Sequence, residues 1–119
     1  MANQEIDNAL QNLLNEPGVE GYVVINYDGI PVKSYPEDKI PAVQYAALIA
    51  DLVSKTKATL KQLDPTDSEF TYLRMRTKNE REIIVTNQII NNNEYILITL
   101  HSWKFGKVEE RKEEVEEEV

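Results

Sequence analysis

Residues 42–63 read AVQYAALIADLVSKTKATLKQL, and this run decides the fold. It holds no Gly and no internal Pro, so nothing in it breaks a helix. Pro41 suits the first helical position, where its missing N–H costs nothing. Asp64-Pro65 ends the run, because the residue before a proline is driven out of the α region. The predicted helix has about six turns and is roughly 30 Å long. Its front half is almost continuously apolar: Ala42, Val43, Tyr45, Ala46, Ala47, Leu48, Ile49, Ala50, Leu52 and Val53. A helix that covers one sheet needs a single apolar stripe. Apolar residues around most of the circumference predict two buried sides. One would meet the chain's own sheet, and the other needs a partner. A helix buried wholly inside a larger domain is the competing reading, but the chain has little material left to cover it. The repeated Ala residues would permit close backbone approach. The back half, Lys55 to Gln62, is more polar, with Leu60 and Leu63 continuing inward.

The segments on either side supply the sheet. Residues 3–15 read as a first helix, with Ile6, Leu10, Leu13 and Leu14 at helical spacing. Pro17-Gly18 closes it. Residues 20–27 read as a strand, followed by Asp28-Gly29 and then Ile30-Pro31-Val32-Lys33-Ser34. An Asp-Gly pair between two β-prone runs predicts a hairpin with a type I′ turn. Pro31 cannot donate to a ladder, which puts the second strand at an edge or gives it an irregular start. Beyond the long helix, residues 70–77 alternate Leu73 and Met75 against Arg74 and Arg76, a half-exposed strand. Lys78-Asn79-Glu80 is a turn, residues 82–86 a short strand and Asn91-Asn92-Asn93 a loop. Residues 95–100 are strongly apolar and read as a central strand. The predicted class is α/β in the α+β sense: one five-stranded antiparallel sheet in the order α-β-β-α-β-β-β, with a helix on each face.

The chain has 119 residues, enough for one domain. A chain this short buries a modest share of its surface, so oligomerisation would add stability. It has no Cys, which excludes disulfides and cysteine catalysis. The net charge is -8, which opposes nucleic-acid binding. Half of that charge sits in residues 107–119, where seven Glu face Lys107, Arg111 and Lys112, a balance of -4. The chain therefore divides into a domain over residues 1–105 and an acidic C-terminal extension over 106–119, a charged flexible end or a marginal helix. No secretory signal and no membrane span are legible, and the expectation is a soluble intracellular protein.

A search for catalytic chemistry finds little. His101 is the only His and Cys is absent, which argues against a zinc cluster. Ser102 follows His101 directly, and neighbours on a strand point to opposite faces. Ser34, Ser54 and Ser68 lack a nucleophile-elbow motif. The four Gly residues form neither GxGxxG nor a phosphate loop. Asp64, Asp67 and Glu69 resemble a cation loop, but Asp-Pro-x-Asp reads better as a turn. The reading is of a non-enzyme with no cofactor and no metal. Arg74, Arg76, Lys78 and Arg81 form a basic strip. It is either a solvated face or a complement to an acidic partner segment, with nucleic acid a weaker third reading for want of aromatic platforms. Trp103 and Phe105 either close the core beneath the first helix or join a docking surface. Arg74, Arg76 and Trp103 are the candidate partner-binding residues.

Three blocks, PGVEGYVVINYDGIPVKS at 17–34, VQYAALIADL at 43–52 and LDPTDSEFTYLRMRTKNEREIIV at 63–85, together with EYILITL at 94–100, resemble the roadblock family of dynein light chains. The resemblance covers residues 3–100. It implies a homodimer, or a heterodimer with a roadblock paralogue, whose sheets join through strand 70–77 and whose helices 42–63 lie side by side. The dimer contacts would fall on Val43, Ala46, Ala47, Ala50, Leu73 and Met75. It implies a non-catalytic partner of dynein intermediate chain in the cytoplasm and cytoskeleton, or in the axonemal dynein arms of cilia. The wider superfamily offers the alternative of a scaffold or regulator of a small GTPase. The acidic extension and the Asn run depart from the family pattern.

Overall fold

The computed structural model describes residues 2–102. Its elements are α1 (Ala2–Leu14), β1 (Val19–Asn26), β2 (Pro31–Tyr35), α2 (Ala42–Leu63), β3 (Tyr72–Arg76), β4 (Arg81–Ile90) and β5 (Asn93–Ser102). The five strands make one antiparallel sheet in the order β2-β1-β5-β4-β3. This is the expected α-β-β-α-β-β-β architecture. β5 lies in the middle, between β1 and β4. Its near-continuous apolar run fits that place, since a central strand has both faces covered. β2 is an edge strand, as Pro31 requires.

Period-two alternation sorts the strand residues into two cores. Val23, Ile25, Val85, Ile96 and Ile98 face α2 and pack with Ala46, Ile49, Val53 and Phe70. Tyr22 and Val24, with Tyr95 and Leu97, face α1 and pack with Ile6, Leu10, Leu13 and Leu14. The α2 side is the larger core and contains all six of the largest fully buried side chains. Burying each such aliphatic side chain contributes about 1.5–3 kcal/mol. A surface ion pair between Lys33 and Asp7 also links β2 to α1.

Local geometry departs from the sequence reading in three places. Gly29 has φ 80°, but Asp28 does not take positive φ, so the first hairpin does not use a type I′ turn. Instead the Gly29 N–H donates to the Asn26 carbonyl and the Asn26 N–H to the Ile30 carbonyl. The Asn26 side-chain oxygen accepts from the N–H groups of Asp28 and Ile30, each at 3.0 Å. This is a three-residue loop with a left-handed Gly and a bulge. A separate irregularity skips Val32, where the register shifts between Val24 and Ile25. The Asp-Gly signal points to the wrong turn type because the side chain of Asn26 competes for the turn's N–H groups.

The Asn run is the second departure. Asn91 and Asn92 take φ 52° and 68°, and β4 and β5 pair up to Ile90 and Asn93 on either side. The expected loop is a two-residue turn, and the expected short strand at 82–86 runs from Arg81 to Ile90. Asn tolerates the left-handed region better than other side chains, so two of them can close a tight hairpin. The third departure is small. Pro41 caps α2 from just outside, and Ala42 is the first helical residue.

Candidate partner-binding surfaces

On α2 the rotation of each residue decides what it can do. Ala46, Ile49 and Val53 point into the core. Val43 is 74% exposed and Leu48 62% exposed, and Ala47 is exposed between them. Ala50, Leu52 and Tyr45 are half-buried and pack against the core. The nearly continuous apolar run therefore divides into an inner stripe and an uncovered outer flank. Of the six candidate dimer contacts, Val43 and Ala47 lie on the outer flank and Ala50 at its margin. Leu73 and Met75 are half-buried on β3 against the same core. Ala46, at 0% exposure, has no surface left to offer a partner. Leu48 and Leu63, which were not among the candidates, are large exposed apolar residues of the same helix.

The small residues of α2 have an internal use as well. A Cβ built on Gly29 would lie 3.5 Å from the Ala50 Cβ and 3.9 Å from the Ala47 Cα. The β1–β2 loop thus comes close to the helix at the Ala residues. Part of the close approach that the sequence suggested is to the chain's own hairpin.

The second surface is the outer half of the sheet face that carries α1. That helix packs on residues of β1 and β5. Beyond it, on β3, lie Tyr72 at 61% exposure, Arg74 and Arg76, whereas Arg81 of the expected basic strip is in phase with Ile83 and Val85 on the α2 side. Arg74 donates from Nε to Glu82 Oε2 at 2.8 Å and from Nη2 to Oε1 at 3.1 Å, a two-pronged pair. Arg76 donates from Nε to the same Oε2 at 2.5 Å. Glu82 is buried, and it sits opposite Arg76 on one side and His101 on the other. The hydrogen bond from Arg74 holds the Glu82 carboxyl below its usual range, with Arg76 adding to the effect and burial opposing it. The same hydrogen bond raises Arg74. Burial lowers His101, against a pull upward from Glu82.

Sequence reasoning singled out both Arg residues but missed Glu82, which organises them. The signal was present. A turn centred on Asn79 pairs residue 76 with residue 82, and in that register Glu82 meets an Arg-x-Arg strand face. Trp103, the third candidate partner-binding residue, lies outside the described residues, as do Phe105 and the acidic extension.

Asp64 resolves the choice between a cation loop and a turn. Its Oδ1 accepts from the Thr66 N–H at 3.0 Å and the Thr66 hydroxyl at 2.7 Å, and its carbonyl accepts from the Asp67 N–H. The segment is a turn at the end of α2. Among the described residues no group of three or more His, Cys, Asp and Glu could hold a metal ion. A groove of about 350 Å³ lies between α1 and the β4–β5 hairpin, lined mainly by Ile6, Leu10, Val24, Ile90, Tyr95 and Leu97. Its walls bring no convergent set of titratable groups. No helix among the described residues is long and apolar enough to cross a membrane.

Over the described residues the fold is thus two helices and a five-stranded sheet, with a helix flank and an outer sheet face exposed. The chain belongs to the Roadblock/LC7 domain family, which matches residues 5–99. Among solved structures it is similar to the gliding protein MglB from Thermus thermophilus, at 17% identity and a TM-score of 0.71, over 95% of this chain and 84% of that one. It is also similar to a Roadblock/LC7 domain from Streptomyces avermitilis, at 15% identity and a TM-score of 0.65, over 82% of this chain and 75% of that one. Myxococcus xanthus MglB matches at 15% identity with a TM-score of 0.58, over 79% and 76% of the two chains.

These similarities correct the dynein light-chain reading. Solved structures that share the fold include bacterial MglB proteins and a bacterial Roadblock/LC7 domain. The intermediate-chain partner, the motor and the axonemal location fall with that reading. The physical reason lies in what the resembling blocks encode. Residues 17–34 build the β1–β2 hairpin, 43–52 the front of α2 and 63–85 the β3–β4 ladder. They specify the scaffold that family members share, so they report the fold without reporting the partner.

Proposed function

We propose that this chain is a non-catalytic Roadblock/LC7 subunit that pairs with a second copy, or with a paralogue, and acts in the cytoplasm as a scaffold or regulator of a small GTPase. The observation that carries the pairing is the outer flank of α2. Val43 and Leu48 stand exposed on a helix whose inner stripe already fills the core. Large apolar side chains left exposed beside Ala47 on this helix support an interaction site there. Val43, Ala47 and Ala50 are the contact residues of this reading on α2, with Leu73 and Met75 supporting from the edge strand β3.

The GTPase partner rests on the fold's likeness to MglB gliding proteins and on the regulatory members of the wider superfamily. The chain itself would make no bond and break none. It would present a paired surface that holds one nucleotide state of the GTPase more tightly, and differential affinity is what shifts such an equilibrium. The test is native mass spectrometry of the full chain mixed with a small GTPase of the same organism, loaded with GDP or with a non-hydrolysable GTP analogue. The expected result is a complex of two copies of this chain with GTPase, selective for one nucleotide. Equal binding to both states, or none to either, would remove the regulatory reading and leave only the paired scaffold.

A further inference from the structure

We propose that the cleft between the 36–41 loop and the paired ends of β4 and β5 binds a small organic monoanion, a carboxylate carried on an apolar body. The cleft has a volume of about 340 Å³, near the small end of the range for ligand pockets. Its apolar wall is made by Ile40, Tyr45, Ile83 and Leu100, all half-buried against the α2-side core. Lys39 and Arg81 also line it, and both are exposed. Lys39 comes from the loop that precedes α2. Arg81 comes from the start of β4, in phase with Ile83 on the α2 side. Two cations that are far apart in sequence thus meet at one apolar cavity.

Charge accounting singles these two cations out. Lys33 pairs with Asp7, Lys55 with Asp51, and Arg74 and Arg76 with Glu82, while Lys57 lies over the Tyr27 ring. Among the described residues Lys39, Lys61, Lys78 and Arg81 make no ion pair, and two of these four line the same cleft. Two acids line it as well. The Glu82 carboxylate is already taken up by Arg74 and Arg76. Glu20, exposed at the bulge between Val19 and Gly21, opposes one of the two positive charges. Burial lowers His101, the remaining titratable group of the wall besides Tyr45, so it adds no charge near neutral pH. The balance is one positive charge, which matches a monoanion better than a phosphate dianion. The Arg fork suits a carboxylate, which it can hold through two parallel hydrogen bonds. α2 starts at the same wall with no acidic residue in its first turn, so nothing there repels an anion. The apolar wall would take the body of the ligand out of water, which the charges alone would not do.

Phenylacetate is the probe, titrated into the ¹⁵N-enriched full chain and followed by backbone amide shifts. The expected result is a saturable shift centred on residues 39–45, 81–83 and 100–101, with affinity that weakens as salt rises. Phenylacetamide keeps the apolar body without the charge, and acetate keeps the charge without the body. Each should move these amides far less than phenylacetate does. Lys39→Gln and Arg81→Gln, at two exposed positions, should each weaken phenylacetate binding about two- to five-fold, the range for exposed charge pairs. The amide spectrum of each variant reports at the same time that the fold is intact. Amides that stay unmoved at millimolar phenylacetate, or shifts centred elsewhere, would overturn the proposal. So would equal shifts from phenylacetamide, which would remove the anion, or from acetate, which would remove the apolar body. Undiminished binding by the double variant Lys39→Gln/Arg81→Gln would remove the two cations and overturn it as well. No GTPase is present in the test, so its outcome is independent of the regulatory reading.

Discussion

Arg74 and Glu82 are joined by two hydrogen bonds, of 2.8 and 3.1 Å, across the β3–β4 hairpin. The carboxylate is buried while the Arg74 side chain is half exposed. Arg76 adds a third bond to the same group. One buried carboxylate thus fixes two cations on a sheet face and keeps its own charge satisfied.

Glu82→Gln should destabilise the fold by about 1–3 kcal/mol, toward the lower end because both cations keep access to water. Urea unfolding with an unchanged m-value would report it. The sign of the pH dependence follows from the lowered carboxyl. A depressed folded-state pKa contributes stability above the unfolded-state value, about 4.3, and loses it as pH falls through the folded value. The gap between the native chain and the variant should therefore be full at neutral pH and shrink below about pH 4. A gap that grew with acid would refute this account of Glu82.

Ala46 and Ala47 are sequence neighbours with opposite environments, buried and exposed. Ala46→Leu should cost about 1–3 kcal/mol through overpacking against the core. Ala47→Glu should change monomer stability by no more than about 0.5 kcal/mol. It should nevertheless abolish self-association in sedimentation velocity, because it puts a charge on the outer flank. An Ala47→Glu chain that still sedimented as a dimer would move the pairing surface elsewhere.

Gly21 and Gly29 differ in what a side chain would meet. At Gly21 a Cβ would collide with the Tyr35 carbonyl oxygen, which is backbone and cannot turn aside. At Gly29 the space is ordinary, but φ is +80°. Gly29→Ala should therefore cost about 1–2 kcal/mol, the left-handed penalty of an L-residue. Gly21→Ala should cost more and disturb the pairing of β1 with β2. Hydrogen exchange would show the second variant losing protection along β2, with the first losing stability evenly.

Asn91 and Asn92 both hold positive φ at the β4–β5 turn. Asn92→Gly should be neutral or stabilising by up to about 1 kcal/mol, since Asn-Gly suits this turn best. Asn92→Val should destabilise by about 1–2 kcal/mol. Thermal melts of the two variants, moving in opposite directions or with only the Val variant falling, would confirm the turn.

Most of the architecture was legible in the chain because it depends on local chemistry. Helix breakers at Pro17-Gly18 and Asp64-Pro65, Pro31 at an edge and the apolar run of residues 95–100 each act within a few residues of themselves. The number and order of elements and the central place of β5 follow from such signals. The length of β4 was misread because a pair of Asn residues looks like a loop until two strands are known to meet across it.

Three-dimensional packing decided the rest. Sequence marks ten apolar residues on the front of α2, but only the helix's rotation against the sheet sends Ala46 inward and leaves Ala47 and Leu48 outside. One residue is about 100° of helical turn, too fine a difference for composition to fix. The grip of Glu82 on Arg74 and Arg76 likewise depends on cross-strand register. Sequence determined the Roadblock/LC7-type fold, because helix breakers, apolar periodicity and the edge-strand proline act locally. Which surfaces remain open for a partner was decided by tertiary structure, because exposure is what remains after every element has been packed.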